Sequence, residues 1–518
     1  NVSGEQQVSE GTTNWNNSIA GLVGYYSLAG SGNDSLNINN ANTSANINFL
    51  DETSITNLYV SSGIGYAYSA NSTELNIRQS LFTGNINSET ETILEGEGAG
   101  EVEYITCTLN NVYAGGVVAF ASSQSNLVLN EVMSTTDITI GGAESTTKLY
   151  AGGLVGSANV VNATNVATTG KIVPITYYSS DSTQNEFYVG GFIGYASSST
   201  IRNAYSLTSI LADSLTHSAI QDLNINALFG GIANQINTEY VYYSSDYALF
   251  TESSDAGYNL TAYTLTRSNV WRADVNNGLN SSQGFWAETN VSAGTYYLPF
   301  IASLSEALVN YGVMRQVGSS YTYLLSALNP IIIESATANI LQNEGDSTFT
   351  YYILSNNIED SAGLSFTNAS GVTNGVLKGI LIGGEKEYNV PVSSATTYTD
   401  PNDSTFVVTG LIPKVAKHSA ISNLHIKLKS NTLYERSNIS GLIAGYNEGV
   451  IFNSSVQGID VKLSVNNLGL ITGRNAGMVS YSYSTAEIVE VSGTLSGITY
   501  ENQGMILSCY FTGYINNA

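Results

Sequence analysis

The 518-residue chain carries few charges, at 11% of its residues, and is acidic, with 41 Asp and Glu against 16 Lys and Arg. A net charge of −25 argues against nucleic-acid binding, because such proteins cluster Lys and Arg against phosphates. Two cysteines exclude a disulfide scaffold, and a composition that is 42% hydrophobic argues against disorder. No apolar run approaches the roughly 20 residues that a membrane-spanning helix needs, so we expect no membrane span.

A short pattern recurs along the chain: a small residue and Gly, two or three apolar residues, and often another small residue. Its copies lie at residues 20–24, 62–65, 115–119, 152–156, 190–194, 230–233, 410–412, 441–445, 469–473 and 497–499. The copies that begin at Gly441, Gly469 and Gly497 are 28 residues apart. Constant spacing of this kind is typical of repeat architectures.

Each C-terminal repeat has a second half in which an Asn-x-Gly turn separates two short apolar segments. Residues 447–449, 475–477 and 502–504 carry this turn. Runs of three to five Val, Ile, Leu, Phe or Tyr residues between Gly, Asn and Ser predict short strands. A unit so rich in Gly cannot bury its own apolar face, so stacking of successive units is required. We therefore predict an all-β parallel β-helix (β-solenoid) in two repeat blocks with very little helix. The alternative is a set of unrelated strands in a sandwich.

The unit Gly-Leu-Ile-x-Gly-x-Asn-x-Gly-x-Ile-x-x-Ser resembles the GLUG repeat. The resemblance is closest over residues 441–513 and looser over 20–240, while residues 348–388 resemble the stretch that opens such blocks and 269–300 the stretch that closes them. It implies a secreted or surface-attached protein with a non-catalytic parallel β-helical repeat region.

Four segments are predicted. Residues 1–240 form the first repeat block, 241–311 a closing region and connector, 312–400 the opening region of the second block, and 401–518 its repeats. Apolar residues at helical spacing within 302–311 predict the one helix, a connector.

Searches for catalytic and ligand-binding motifs find none, so we predict no catalytic, cofactor-binding or metal site and no cofactor. His217, His418 and His425 lack metal-ligand spacing and are interpreted as solvated surface residues. Six Glu between residues 89 and 103 are interpreted as an acidic loop, with calcium binding and an interaction surface as alternatives. Cys107 and Cys509 are expected to be buried free thiols.

Asn-x-Ser/Thr sequons are dense, and either chance in an Asn-rich chain or N-glycosylation explains them. The candidate glycosylation sites are Asn16, Asn33, Asn42, Asn71, Asn162, Asn259, Asn280, Asn290, Asn368, Asn402, Asn438 and Asn453. A chain that starts at Asn1 indicates a removed leader or a segment of a longer polypeptide. Together with the scarce Lys and Cys, these features predict a secreted or cell-surface, extracellular location.

The leading functional prediction is a non-enzymatic structural or adhesive surface protein, a self-associating subunit of a fibre or surface layer. Repeat-like strands near both ends predict a homo-oligomer that grows by head-to-tail end stacking, with glycans as further partners. Basic residues 414–429 would then face the acidic run across a joint. The alternatives are a carbohydrate-binding module and a β-helical polysaccharide-degrading enzyme. Exposed tyrosines of the module would be Tyr242, Tyr243, Tyr351, Tyr352, Tyr481 and Tyr483.

Overall fold

A computed structural model describes most of the chain. The described residues are 16–28, 35–48, 54–69, 73–93, 102–106, 108–122, 125–142, 148–176, 186–212, 223–244, 246–247, 258–259, 275, 277–281, 284–287, 298–355, 358, 363–384, 386–390, 395–430 and 433–516. Of these residues 68% are strand and 3% helix, so the prediction of an all-β protein with very little helix is confirmed.

The first nineteen strands form the N-terminal strand group. They are β1 (Asn16–Ala20), β2 (Val23–Leu28), β3 (Ser35–Asn39), β4 (Asn42–Asn48), β5 (Ser54–Ser61), β6 (Ile64–Ser69), β7 (Thr73–Asn87), β8 (Glu89–Ile93), β9 (Val102–Thr106), β10 (Thr108–Gly115), β11 (Val118–Ala121), β12 (Ser125–Gly142), β13 (Lys148–Gly152), β14 (Val155–Thr176), β15 (Glu186–Gly190), β16 (Ile193–Ile210), β17 (Leu223–Asn226), β18 (Phe229–Tyr243) and β19 (Tyr258–Asn259).

Two parallel sheets organise this group. One has the strand order β1-β5-β10-β13-β15-β17, and the other has the order β19-β18-β16-β14-β11-β6-β2, with β3, β4, β7 and β12 paired alongside. Each strand pairs with the strand at the equivalent place in the next repeat: Lys148 pairs with Glu186, 38 residues later. The Gly-containing pattern found in the sequence joins the two sheets, with β10 ending at Gly115 and β11 beginning at Val118.

A connecting segment follows. It contains β20 (Trp286–Ala287), β21 (Phe300–Ile301), a 3-10 turn (Ala302–Leu304), helix α1 (Ser305–Asn310), β22 (Met314–Val317) and β23 (Ser320–Tyr323). The helix predicted within 302–311 is therefore present. This segment packs along the N-terminal strand group. The hydroxyl of Tyr311 donates a hydrogen bond to the Asn42 carbonyl oxygen at 2.8 Å, and the hydroxyl oxygens of Tyr323 and Tyr205 are hydrogen-bonded at 3.2 Å.

The C-terminal strand group comprises the remaining strands. They are β24 (Ile331–Ile333), β25 (Thr337–Leu341), β26 (Thr350–Leu354), β27 (Ser365–Asn368), β28 (Gly379–Ile382), β29 (Glu387–Val390), β30 (Thr396–Thr399), β31 (Val407–Gly410), β32 (Ile412–Val415), β33 (Ala420–Ser422), β34 (His425–Leu428), β35 (Leu433–Gly441), β36 (Ala444–Asn447), β37 (Val450–Phe452), β38 (Ser455–Gly458), β39 (Val461–Gly469), β40 (Thr472–Asn475), β41 (Met478–Ser480), β42 (Tyr483–Ser484), β43 (Glu487–Ser496), β44 (Thr499–Asn502), β45 (Met505–Leu507), β46 (Tyr510–Phe511) and β47 (Tyr514–Ile515).

Four main sheets carry the C-terminal repeats. Their strand orders are β24-β26-β28-β33-β37-β41-β45, β29-β34-β38-β42-β46, β30-β31-β35-β39-β43-β47 and β32-β36-β40-β44. Except for β30 with β31, neighbours in these orders are parallel. Over the described residues, the other antiparallel strand pairs are β8 with β9, β20 with β21, and β22 with β23. The sheets are thus mostly parallel, as predicted.

The Asn-x-Gly turns fall where the sequence puts them, but their Asn side chains point inward. Asn447 and Asn475 are fully buried at the ends of β36 and β40. The Asn447 amide donates to Asn475 Oδ1 at 2.8 Å, and the Asn475 amide donates to Asn502 Oδ1 at 2.8 Å. Parallel register places these side chains one above the other, so each amide satisfies the next. We call these three residues the Asn ladder.

One residue in each repeat adopts a left-handed backbone conformation at the same place. In the C-terminal group these residues are Asn423 (φ 53°), Asn453 (φ 44°), Tyr481 (φ 50°) and Ser508 (φ 51°), and in the N-terminal group they are Asn40, Gln79, Glu131, Asn165, Asn203 and Tyr240. Asn tolerates this conformation better than other non-Gly residues, which explains its frequency here.

The two strand groups share a core. One continuous cluster of buried apolar side chains includes Leu58 of the N-terminal group and Ile353 and Met478 of the C-terminal group. Polar contacts join the groups as well, because Ser209 Oγ lies 2.7 Å from the Tyr351 hydroxyl oxygen and the Asn423 amide donates to Asp246 at 2.5 Å. The boundaries of the four predicted segments stay predictions.

Candidate functional site

An outward-facing row of tyrosines runs along the first N-terminal sheet. In β10 the side chains of Val112 and Ala114 are fully buried, whereas Tyr113 between them points outward and is half-buried. Parallel register aligns Tyr59, Tyr113, Tyr150 and Tyr188. Their ring centroids are 4.9, 5.0 and 5.6 Å apart in sequence order, with interplanar angles of 8° to 16°.

A second aromatic row faces the first across the corner between the two sheets. Tyr25 stacks on Tyr66 at 5.3 Å, and Tyr66 stacks on Phe120 at 5.2 Å. Rings of the two rows meet edge to face: Tyr66 lies 4.6 Å from Tyr59 at 71°. Outward-facing side chains of two sheets can touch only where the corner is concave. These rings, together with Tyr195, line what we call the aromatic groove.

Glycine makes this corner tight. A Cβ at Gly115 would lie 2.0 Å from the carbonyl oxygen of Val118, and a Cβ at Gly116 would lie 2.1 Å from the carbonyl oxygen of Gly153. Either contact is shorter than real Cβ contacts allow, so the close approach of backbone requires Gly at both positions. The Gly-Gly pattern thus positions the tyrosine two residues before it.

The groove is aromatic, polar at one rim and close to neutral. Burial raises the pKa of Tyr59 to about 12, with Tyr113 and Tyr66 adding to the effect, so its hydroxyl stays protonated. At the rim, Lys148 Nζ lies 3.0 Å from Glu186 Oε1, and Glu186 also accepts a hydrogen bond from the Tyr150 hydroxyl. These two opposite charges cancel.

The equivalent corner of the C-terminal group is charged instead. Lys414, Tyr446, Arg474 and Glu501 align there in successive strands. Lys414 is 5% exposed, and its Nζ lies 3.0 Å from Glu448 Oε2.

Lys414 also contacts residues that precede the C-terminal repeats. Its Nζ lies 2.5 Å from Glu344 Oε1 and 4.9 Å from the centroid of the Tyr398 ring. Burial alone would lower the pKa of Lys414, but Glu448 and Glu344 outweigh burial and raise it above its ordinary value. Lys414 is therefore a buried charge that is paired within this chain. The predicted contact between basic residues 414–429 and the acidic run across a joint stays a prediction.

His425 belongs to a column of aligned side chains on β29, β34 and β38. Glu387 pairs with His425, and His425 pairs with Ser455. His425 Nδ1 lies 2.8 Å from Ser455 Oγ, and burial lowers the pKa of His425 although Glu387 opposes the shift. The prediction of a solvated surface histidine is wrong for His425, which is half-buried. Ser455 is fully buried, so its hydroxyl cannot reach a substrate as a nucleophile.

Three glutamates of the acidic run, Glu89, Glu91 and Glu103, lie in the antiparallel strands β8 and β9, where a loop was predicted, and the other three lie outside the described residues. The glutamate side chains of the run lie outside the described residues, and calcium binding there stays a prediction. Among the described side chains no group of three or more His, Cys, Asp or Glu is placed to hold a metal ion. Cys509 is a free, half-buried thiol whose pKa burial raises, whereas Cys107 lies outside the described residues.

The candidate glycosylation sites fall in different environments. Asn402 is exposed, next to a turn. The amides of Asn162, Asn280 and Asn453 are engaged, donating to Asn126 Oδ1, the Trp286 carbonyl oxygen and Asn423 Oδ1 respectively. A sugar on any of these three nitrogens leaves a single N–H, so the hydrogen bond survives only where that hydrogen points at the same acceptor.

The other candidates vary in how much of them is described. Asn42, Asn368 and Asn438 lie in strands β4, β27 and β35 and are half-buried. Asn16 and Asn259 lie in β1 and β19, with side chains outside the described set; Asn33, Asn71 and Asn290 lie outside the described residues altogether. Glycosylation stays a prediction at all of the candidates.

Four of the tyrosines predicted to be exposed are buried. Tyr242, Tyr243, Tyr351 and Tyr352 are 7%, 5%, 3% and 6% exposed, because they pack in the core. Tyr481 and Tyr483 are half-buried, and Tyr483 stacks on Tyr510 at 4.9 Å.

The sequence interpretation missed the aromatic groove, although a signal was present. Tyr-x-Gly-Gly occurs at residues 113–116, 150–153 and 188–191, so tyrosine recurs two residues before the Gly pair.

No protein-family model, curated protein or solved structure matches this chain. The resemblance to GLUG repeats therefore stays a prediction from the repeat motif. In the described part of the chain, no helix is long and apolar enough to cross a membrane.

Proposed function

We propose that this chain is an extracellular structural or adhesive surface protein whose repeats fold as a β-solenoid. The strand register carries the proposal: each strand of the main parallel sheets pairs with its counterpart in the neighbouring repeat, as stacked coils require. The left-handed residue at the same place in successive repeats supports the same geometry. Such a scaffold displays a long, regular surface, which suits attachment better than chemistry.

The resemblance of the C-terminal repeats to GLUG units supports the extracellular part of the proposal, and the composition agrees with it. The test is accessibility on intact source cells, using a membrane-impermeant biotin reagent or an antibody against the purified chain. Labelling of intact cells and retention of cells on a surface coated with the chain are expected. Labelling only after lysis, or coated surfaces that retain no more cells than albumin-coated ones, would contradict the proposal.

Self-association by end stacking is a further part of the proposal. It is supported by β44, β45, β46 and β47, which are the last described strands of their sheets, and by the exposure there of Tyr510, Tyr514 and Ile515, at 50%, 61% and 37%. Exposed strand edges pair readily with further strands. Sedimentation of the purified chain at moderate salt should show multimers that Tyr514→Lys with Ile515→Lys disperse, whereas a chain that stays monomeric at high concentration contradicts this part.

Carbohydrate binding is the second candidate function, and the aromatic groove is the observation that favours it. A polysaccharide-degrading enzyme is the third candidate, and a reducing-sugar assay on a panel of polysaccharides separates it from the other two.

A further inference from the structure

We propose that the aromatic groove of the N-terminal strand group binds a neutral polysaccharide chain laid along the stacking direction of the strands. This inference deepens the proposed adhesive function by assigning it a site and a ligand class. It rests on three observations: the groove's periodicity, the chemistry of its lining and its charge.

The periodicity of the groove indicates a polymeric ligand. One wall carries an aligned tyrosine from each of four successive strands, at centroid separations of 4.9 to 5.6 Å; Tyr59, Tyr113 and Tyr188 are half-buried and Tyr150 is buried. A lining that repeats once per strand fits a ligand that repeats, because the same contact can then be made at each step. A protein partner without stacked strands offers no such repetition.

The chemistry of the lining indicates a polyhydroxyl ligand. Stacking on both sides covers the ring faces of Tyr113 and of the buried Tyr150, so Tyr113 offers its ring edge and hydroxyl group. Tyr59 and Tyr188 end the row, and each offers its hydroxyl group and one ring face that the row itself does not cover. The side chains of Tyr59, Tyr113 and Tyr188 are half-buried, and their hydroxyls, like any tyrosine hydroxyl at neutral pH, both donate and accept hydrogen bonds. Tyr25, at 60% exposure, ends the other row and offers a ring face on which a sugar ring can stack.

Charge excludes anionic ligands from this surface. The chain carries a net charge of −25, and the rim of the groove adds one Lys and one Glu that neutralise each other. An anionic polymer would meet repulsion without a compensating basic patch. The equivalent corner of the C-terminal group is lined by the charged residues Lys414, Arg474 and Glu501, whose charges are already paired within the chain. It is a charged counterpart to the neutral groove.

The test is affinity electrophoresis of the full chain in gels that contain a soluble β-glucan, mannan or xyloglucan, with alginate as the anionic comparison. At least one neutral polysaccharide should retard the native protein, and alginate should not. The triple variant Tyr59→Phe, Tyr113→Phe, Tyr188→Phe keeps the stacked rings but removes three hydroxyls, so its affinity should fall about tenfold or more. Tyr25→Ala should also weaken binding, because it removes the exposed ring face.

Tyr483→Phe is the matched control, since Tyr483 belongs to a stacked pair outside the groove. It should leave retardation unchanged, and circular dichroism should show that all variants melt like the native protein. No retardation by any neutral polysaccharide, retardation by alginate alone, or equal retardation of the triple variant would overturn the inference. A chain that is exposed on cells and retains them, yet is not retarded, would refute this inference while leaving the proposed function standing.

Discussion

Replacing the buried Asn475 with Ala should destabilise the C-terminal repeats more than the same change at Asn502, the exposed member of the Asn ladder. Asn475 is fully buried, accepts a hydrogen bond from Asn447 and donates to Asn502 and to the Met505 carbonyl oxygen at 3.1 Å. Each such bond contributes about 0.5–1.5 kcal/mol net, and a buried polar group left without its partner costs about 1–3 kcal/mol. Loss of the central amide should therefore cost about 3–4 kcal/mol.

Asn502→Ala is the matched control, because Asn502 ends the same ladder but is exposed, so water replaces its lost contacts. We expect that change to cost about 1 kcal/mol or less. Hydrogen exchange of peptides covering β40 and β41, read by mass spectrometry, reports the local opening free energy. Exchange there should accelerate by roughly 100-fold or more in Asn475→Ala. Equal acceleration in the two variants would refute the view that buried amides hold successive repeats in register.

Three further changes test other parts of the fold. Ser508 is exposed and has a left-handed backbone, with φ 51°. Ser508→Asn should therefore raise the free energy of unfolding by about 0.5–1 kcal/mol, and Ser508→Val should lower it by about 1 kcal/mol. Urea denaturation measures both changes, and the reverse order would contradict the left-handed assignment. Gly116→Ala should cost about 2–3 kcal/mol, because its Cβ would lie 2.1 Å from the carbonyl oxygen of Gly153. Gly345→Ala, with nothing within 4 Å, should change stability by less than about 0.5 kcal/mol, and similar melting of the two variants would be the contrary result. Burial lowers the pKa of His425, so on acidification the unfolded chain binds a proton at this residue before the folded chain does, and stability is lost as pH falls below about 6.5. His425→Gln should reduce that loss, measured as the change in urea midpoint between about pH 7 and pH 5. An unchanged dependence of the midpoint on pH would count against a lowered pKa of His425.

The strands and turns could be predicted from the sequence because they follow from local chemistry. Gly and Asn bound short apolar runs, and the structure places β36 and β37 on either side of the turn at residues 448–449, as the pattern predicts. The spacing of copies also indicated which strands pair, since Asn447 and Asn475 are 28 residues apart and adjacent.

The burial of individual side chains could not be predicted in the same way, because it depends on which distant segments pack against each residue. Asn475 before Gly is typical of a turn, yet its amide is buried because the neighbouring repeats satisfy it. Tyr351 looked like an exposed aromatic residue, but the N-terminal strand group covers it, a contact between distant parts of the chain. Lys414 belongs to a basic run that was expected to face a joint, and its pairing with Glu448 and with Glu344, 70 residues earlier, explains how its charge is buried.

The distance between Asn37 and Asn237 tests the stacked architecture most directly. Both are exposed, and register connects them in one column through Asn76, Val128, Asn162 and Thr200. Neighbouring strands lie about 4.8 Å apart, so five steps place the two backbones about 24 Å apart although 199 residues of chain lie between them. Nitroxide labels on Asn37→Cys and Asn237→Cys, in a chain whose native cysteines are changed to Ser, should give one narrow distance by pulsed electron resonance, within the few ångströms that the label arms add. A broad distribution, or a distance beyond about 40 Å, would contradict the stacking of one repeat on the next.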